Sequence, residues 1–173
     1  AVPFPVFIVS GACTSFDVMR GEETLLAGCE TQPGKTELFL FPGTHSKHVL
    51  VTDGIATAID TYMTGEFFSL LSRQSILSAS VEKSGLDTGT GFFARGISEG
   101  AQTNLLNSAF RVRTNHLFKR ATATENFDYL SGLLIGVELS AIKDKKIDLI
   151  TVVAGDIMVN KYMTGLKLLK KKK

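Results

Sequence analysis

Apolar positions change their period along the chain. Val6 to Ser10 is a short apolar, β-branched run that meets Gly11 and predicts a buried strand. Gly21-Glu-Glu-Thr-Leu-Leu-Ala-Gly28 sets carboxylates ahead of small and apolar residues, the order favoured at a helix start, where the dipole attracts negative charge. Gln32-Pro-Gly-Lys35 then breaks the helix. Glu37 to Phe41, Lys47 to Thr52 and Ile55 to Tyr62 follow as short strand-like segments. Asp53-Gly54 between the last two is a two-residue hairpin signal, because a type I′ turn needs positive φ at both central positions, and the region predicts an antiparallel meander.

Beyond Thr64-Gly65 the spacing becomes helical. Phe67, Phe68, Leu70, Leu71, Ile76 and Leu77 predict one apolar helix face, punctuated near Ser84-Gly85. From Thr88 to Leu117 two helices are expected, the first burying Phe92, Phe93 and Ile97, the second Leu105, Leu106 and Phe110. Thr124-Glu-Asn-Phe127 opens the longest helix, which carries Leu130, Leu133, Leu134, Val137 and Ile142 and ends near Lys143 to Lys146. Ile147 to Val153 reads as a buried strand, and Ala154-Gly155-Asp156 turns into a last helix that runs into Lys170 to Lys173. Strands, then helices, then a strand-turn-helix make an α/β unit. Tyr-Met-Thr-Gly occurs at 62–65 and again at 162–165, too short to be a structural repeat and read as coincidence.

At 173 residues with 44% hydrophobic and 21% charged content, the chain has enough apolar material for one core or part of a larger one. The net charge of +2 is exceeded by the terminal lysines alone, so the body is near neutral and nucleic acid is not the expected partner. No apolar run is long enough to span a bilayer and no basic segment precedes the first apolar stretch, which predicts a soluble protein without membrane association. Cys13 and Cys29 lack zinc-site spacing and read as free thiols in a reducing compartment, hence cytoplasm.

Three segments offer chemistry. Phe41-Pro-Gly-Thr-His-Ser-Lys47 is a donor-rich turn: Gly43 lets backbone amides approach a phosphate, and Thr44, Ser46 and Lys47 add hydroxyls and a positive charge. It lacks the Walker spacing, and an ordinary polar hairpin tip has the same composition. The carboxylates of Glu22 and Glu23 are candidates to accept a proton from a substrate hydroxyl, although acidic residues also occur at helix starts for purely electrostatic reasons. Val152-Val-Ala-Gly-Asp156 resembles the strand ends at which nucleotides bind. His45 and His48 would face opposite sides of a strand, with His116 far off in sequence, which disfavours zinc. No Gly-x-Ser-x-Gly elbow supports a hydrolase.

In order along the chain, Asp17-Val-Met-Arg-Gly-Glu-Glu-Thr-Leu-Leu-Ala-Gly28, Phe41-Pro-Gly-Thr-His-Ser-Lys-His-Val49, Tyr62-Met-Thr-Gly-Glu-Phe67, Phe127-Asp-Tyr-Leu-Ser-Gly-Leu-Leu-Ile-Gly136 and Val152-Val-Ala-Gly155 resemble the 2-dehydro-3-deoxygalactonokinase family. The resemblance implies a ribonuclease H-like, actin-like ATPase fold, with residues 1–35 as a hinge-proximal segment and 36–173 as the second, nucleotide-binding lobe. It implies ATP and Mg as cofactors, a sugar acid as the small-molecule partner, and phosphorylation of the C6 hydroxyl of 2-dehydro-3-deoxy-D-galactonate. By the same resemblance Glu22 is the general base with Glu23 as alternate, Gly43 and Thr44 face the ATP phosphates, Lys47 neutralises phosphate charge and Gly155 lies against adenosine. The family's first phosphate loop and most of its sugar lobe are not found in this sequence, so the chain alone is expected to be inactive or nearly so. A kinase for another sugar acid, a non-enzymatic nucleotide-binding or interaction module, and homo-oligomerisation remain open alternatives.

Overall fold

The computed structural model describes residues 10–83 and 91–170, with Pro3 and Pro5. The strand expected at Val6 to Ser10 falls, Ser10 apart, outside the described residues, as do the Ser84-Gly85 break, the Thr88 start and Lys171 to Lys173.

The described chain opens with a two-stranded antiparallel ribbon, β1 (Ala12–Cys13) and β2 (Val18–Met19), and the short helix α1 (Glu22–Ala27). The expected meander follows as β3 (Thr36–Phe41), β4 (Ser46–Thr52) and β5 (Ile55–Tyr62). Asp53 and Gly54 turn between β4 and β5 with φ of 51° and 76°, as a type I′ turn requires. The helices are α2 (Thr64–Gln74), α3 (Phe92–Gly100), α4 (Leu105–Leu117), α5 (Ala123–Ser140) and, after strand β6 (Leu149–Val152), α6 (Asp156–Lys170). The sheet order is β5-β4-β3-β6, with β6 parallel to β3 and the other pairs antiparallel.

Alternation along the strands separates two faces. Leu38 and Leu40 of β3 pack against Ile97, Ile135, Leu139, Tyr162 and Leu166 from the helices. Phe39, Phe41, Val49 and Val51 form the opposite core with Met19 and Ile59, flanked by Leu26 of α1. The helical layer is drawn together where α3 crosses α5. A Cβ on Gly96 would lie 2.3 Å from the Tyr129 carbonyl oxygen, and one on Gly136 would lie 2.4 Å from that of Ile97, so glycine allows the two backbones to meet.

Four elements depart from expectation. Helix α2 ends at Gln74 and does not reach Ile76 or Leu77: the Ser75 hydroxyl donates to the Leu71 carbonyl at 2.6 Å and accepts from the Leu77 amide at 3.0 Å, diverting the backbone into a new turn. Phe67, Leu70 and Ile76 are exposed while Phe68, Leu71 and Leu77 pack inward. Helix α4 buries Ser108, Ala109, Val112 and Asn115, leaving Leu106 84% exposed, because Asn126 of α5 donates to the carbonyls of Val112 and Ser80, each at 3.0 Å. Helix α5 starts after Thr122, whose side chain forms a capping box with Glu125, and stops at Ser140 short of the lysine cluster. Strand β6 is only half-buried, since its second edge meets no strand among the described residues.

Candidate functional site

The β1–β2 ribbon, the start of α1 and the tip of the β3–β4 hairpin enclose a cleft of about 740 Å³. Glu22, Gly43, Thr44 and Lys47 all line it, together with Arg20 and His45. Glu23 and Gly155 do not. Gly21, with φ of 111°, allows the sharp entry into α1. Glu22 accepts from the Arg20 amide at 3.1 Å through Oε2, and Glu23 accepts from the Gly21 amide at 2.6 Å. Each carboxylate thus caps backbone just ahead of the helix, but it is Glu22 that reaches the cleft.

Lys47 is only 6% exposed, and its ammonium donates to the His45 carbonyl at 3.3 Å. Its register partners are Phe41 and Thr61, on the sheet face that also carries the Phe39 core. Asp17 stands nearby, accepting from the Thr61 hydroxyl, the Thr61 amide at 2.7 Å and the Val18 amide at 2.8 Å. Burial pushes the Asp17 carboxyl up, but those hydrogen bonds and the Lys47 charge outweigh it and hold the group below its ordinary value. The ribbon is thereby tied to β5.

The hairpin tip is braced from behind. Gly65 permits α2 to approach so closely that a Cβ there would sit 2.4 Å from the Gly43 carbonyl oxygen. The Glu66 amide donates to the Thr44 carbonyl at 3.0 Å, and His45 Nε2 pairs with Glu66 Oε2 at 2.5 Å. Ser46, expected to offer a hydroxyl to phosphate, instead turns inward and is buried: it accepts from the Gly43 amide at 3.4 Å and meets the Tyr162 hydroxyl at 3.1 Å. Tyr162 donates to Glu138 at 2.7 Å, and Glu138, itself 2% exposed, also accepts from Thr64 and pairs with His48 Nε2 at 2.9 Å. Burial and the Glu138 charge push the Tyr162 hydroxyl well above the ordinary range, so it stays a donor.

Of these buried partners the sequence singled out Ser46, toward phosphate, and His48, as a disfavoured metal ligand, and it did not point to their bonds with Tyr162 and Glu138. The one available signal was the repeated tetrapeptide. Thr64 and Tyr162, one from each copy, converge on Glu138, while the Tyr62 ring packs against His48 at a tilt of 44° with centroids 4.4 Å apart. The copies remain unlike in structure, since 62–65 joins a strand to a helix and 162–165 lies within α6.

For nucleotide, the donor set of the cleft suits phosphate: a buried ammonium at Lys47, the Thr44 hydroxyl at a turn and the side chain of Arg20. Gly155 lies exposed at the end of β6, and a Cβ there would meet nothing within 4 Å, which leaves open surface against which a flat base could rest. Among the described residues no group of three His, Cys, Asp or Glu side chains could hold a metal ion by themselves. Nor, among them, is any helix long and apolar enough to cross a membrane.

A three-stranded antiparallel meander extended by a parallel strand, with helices packed on the sheet and a polar hairpin opening into a cleft, defines an α/β chain of the ribonuclease H-like, actin-like ATPase class. Within that class the chain belongs to the 2-keto-3-deoxy-galactonokinase family, whose sequence model matches residues 4–173. It is 33% identical over 165 residues to the 2-dehydro-3-deoxygalactonokinase of Escherichia coli (strain K12), covering 91% of this chain and 55% of that protein. It is 38% identical over 128 residues to a protein of Rhizobium meliloti (strain 1021) assigned as a 2-dehydro-3-deoxygalactonokinase, covering 72% of this chain and 42% of the relative. A crystal structure of a protein from Sinorhizobium meliloti, assigned the same way, superposes with a TM-score of 0.79 at 34% identity, over 88% of this chain and 51% of the other. The chain thus spans about half the length of the curated relatives it matches.

Proposed function

We propose that this chain supplies the catalytic base and the nucleotide-binding lobe of an ATP-dependent kinase that phosphorylates the C6 hydroxyl of 2-dehydro-3-deoxy-D-galactonate in galactonate breakdown. In this reading residues 1–35 form the hinge-proximal segment and residues 36–173 the nucleotide-binding lobe. The observation that carries it is the convergence of Glu22 with Thr44 and Lys47 on one cleft, from segments that are separate in sequence. Phosphoryl transfer asks a protein chiefly for positioning and charge stabilisation, and these three groups divide that work.

Glu22 is the base. Its Oε2 is held by the Arg20 amide, so the carboxylate is oriented while Oε1 carries no hydrogen bond within the described residues. The C6 oxygen attacks the γ-phosphorus as Glu22 takes its proton. The new O–P bond forms while the bond to the β–γ bridging oxygen breaks, and ADP leaves with that electron pair. Thr44 donates to a phosphate oxygen, and Lys47 offsets negative charge in the transition state. Adenosine rests at the Gly155 turn. ATP enters as its magnesium complex, and no residue of this chain is assigned to the ion. A cytoplasmic site of action suits this substrate pair.

Glu22→Gln in the intact protein is expected to lower kcat by about 10²–10⁴-fold with ATP affinity retained, whereas Glu23→Gln is expected to leave most of the activity. Comparable activity in Glu22→Gln and the parent would overturn the assignment. Phosphorylation of other sugar acids in preference to 2-dehydro-3-deoxy-D-galactonate would move the substrate and leave the base in place.

A further inference from the structure

Behind the cleft lies a set of buried polar side chains that the chemistry above does not use. Ser46 and His48 come from β4, Thr64 from α2, Glu138 from α5 and Tyr162 from α6. The direction of each hydrogen bond follows from its atoms. The Gly43 amide can only donate, and it does so to Ser46 Oγ. Tyr162 is 2.7 Å from a Glu138 oxygen and 3.1 Å from Ser46, so its proton goes to the carboxylate, the stronger acceptor, and Ser46 donates to the tyrosine oxygen. The chain of bonds therefore runs one way, from the hairpin amide through two hydroxyls to a buried anion. Thr64 donates to the same carboxylate and His48 Nε2 pairs with it, while His48 Nδ1 is buried without a hydrogen-bond partner.

Folding alone does not call for this arrangement. Apolar side chains of similar volume would fill the same space without the desolvation of a carboxylate, so a buried network of this kind is better explained by the geometry it fixes. What it fixes is the shape of the Gly43–Thr44 turn and the distance of that turn from α6. Helix α6 begins directly after Gly155, and Tyr162 sits seven residues further along, about 10 Å at 1.5 Å per residue.

We propose that Tyr162, Glu138 and Ser46 are positioning residues that lock the phosphate-facing turn to α6, so that adenosine seated at the start of that helix and phosphate seated at Thr44 are registered by one rigid connection. The proposal rests on the nucleotide reading of the cleft. It assigns these residues no contact with substrate. Losing the connection should weaken ATP binding without touching the sugar acid.

The test uses the intact protein labelled with ¹⁵N-glycine and the variant Tyr162→Phe, which keeps the ring and removes one hydroxyl. Solvent exchange of the Gly43 amide should rise about tenfold, and KM for ATP should rise roughly 3–10-fold, the effect of one lost hydrogen bond, with KM for the sugar acid within about twofold of the parent. Ser46→Ala, which cuts the same chain one bond earlier, should reproduce the split, and the double variant should be no worse than either single one. If Tyr162→Phe does not fold, Ser46→Ala carries the measurement alone. Unchanged Gly43 exchange, or faster exchange with unchanged KM for ATP, overturns the proposal. Thr44→Val then shows how much falls: raised KM for ATP in that variant keeps the nucleotide reading and removes only the positioning role, whereas unchanged KM removes both.

Discussion

Gly65→Ala tests whether the hairpin is held in place by the helix behind it. The new Cβ would stand 2.4 Å from the Gly43 carbonyl oxygen, 2.8 Å from Thr44 Cα and 3.0 Å from the Gly43 carbonyl carbon. All three are backbone atoms, so no rotamer change relieves the contact. Ordinary contact begins near 3.4 Å, and the turn and α2 must therefore part by about 1 Å. That movement lengthens the Glu66 amide to Thr44 carbonyl bond from 3.0 Å to about 4 Å, beyond hydrogen-bonding range. Overpacking costs about 1–3 kcal/mol and the lost bond about 1 kcal/mol, against a gain of up to about 1 kcal/mol from alanine's helix propensity. The expected net destabilisation of about 1–3 kcal/mol lowers Tm by roughly 2–12 °C for a chain of this size. Because the displaced atoms are those proposed to face phosphate, kcat/KM for ATP should fall by about 10–100-fold, as misplacement on this scale does elsewhere. Thermal denaturation and steady-state kinetics on the same preparation give both quantities. A variant with parental Tm and parental kinetics would refute the close approach and, with it, the brace.

Gly155→Ala should behave in the opposite manner. Its Cβ meets no atom within 4 Å, so Tm should stay within about 2 °C of the parent, while KM for ATP rises several-fold if adenosine lies against that turn; unchanged ATP affinity would remove Gly155 from the site. Glu99→Gln tests a charge in the helical layer. Burial raises the Glu99 carboxyl, but bonds from Tyr129, Arg95 and Arg111 at 2.6, 2.9 and 2.6 Å prevail and hold it below its ordinary value of 4.5. A lowered folded pKa contributes stability that is full above the unfolded value and is lost as pH falls through the folded one. The variant should therefore be less stable than the parent by about 1–2 kcal/mol at pH 7 in urea, and the difference should shrink below pH 4.5; a gap that persists undiminished at about pH 3 contradicts the ionic role.

What the sequence made legible were features decided within a few residues of one another. Asp53 and Gly54 announce the β4–β5 turn because their positive φ is a local demand, and the meander follows from it. Glu22, Gly43, Thr44 and Lys47 were candidates because each sits in a short motif, and the cleft gathers them. Errors arose where a polar side chain overruled apolar spacing. Ser75 ended α2 early, and Asn126 turned α4 so that small and polar residues face inward and Leu106 faces out. The brace was out of reach for another reason. Ser46 and Tyr162 lie 116 residues apart and His48 and Glu138 lie 90 apart, and neither partner has a local pattern that requires the other.

The strand that carries Lys47 shows why site and brace belong together. Side chains alternate along β4, so Lys47 faces the cleft side while its neighbours Ser46 and His48 face the helices. A slip of one residue in this strand would place a lysine against Glu138 and a serine in the cleft, exchanging every role at once. Hydrophobic register alone guards weakly against that slip here, because near the hairpin tip three consecutive residues, Ser46, Lys47 and His48, are polar. The hydrogen bonds of Ser46 to Tyr162 and of His48 to Glu138 are available in one register and lost in the other, at the cost of stranding a buried carboxylate. The same bonds that are proposed to shape the turn therefore also specify which face of β4 presents its ammonium to the cleft, and a polar core at this position is the means by which a short, polar strand end is placed in one register.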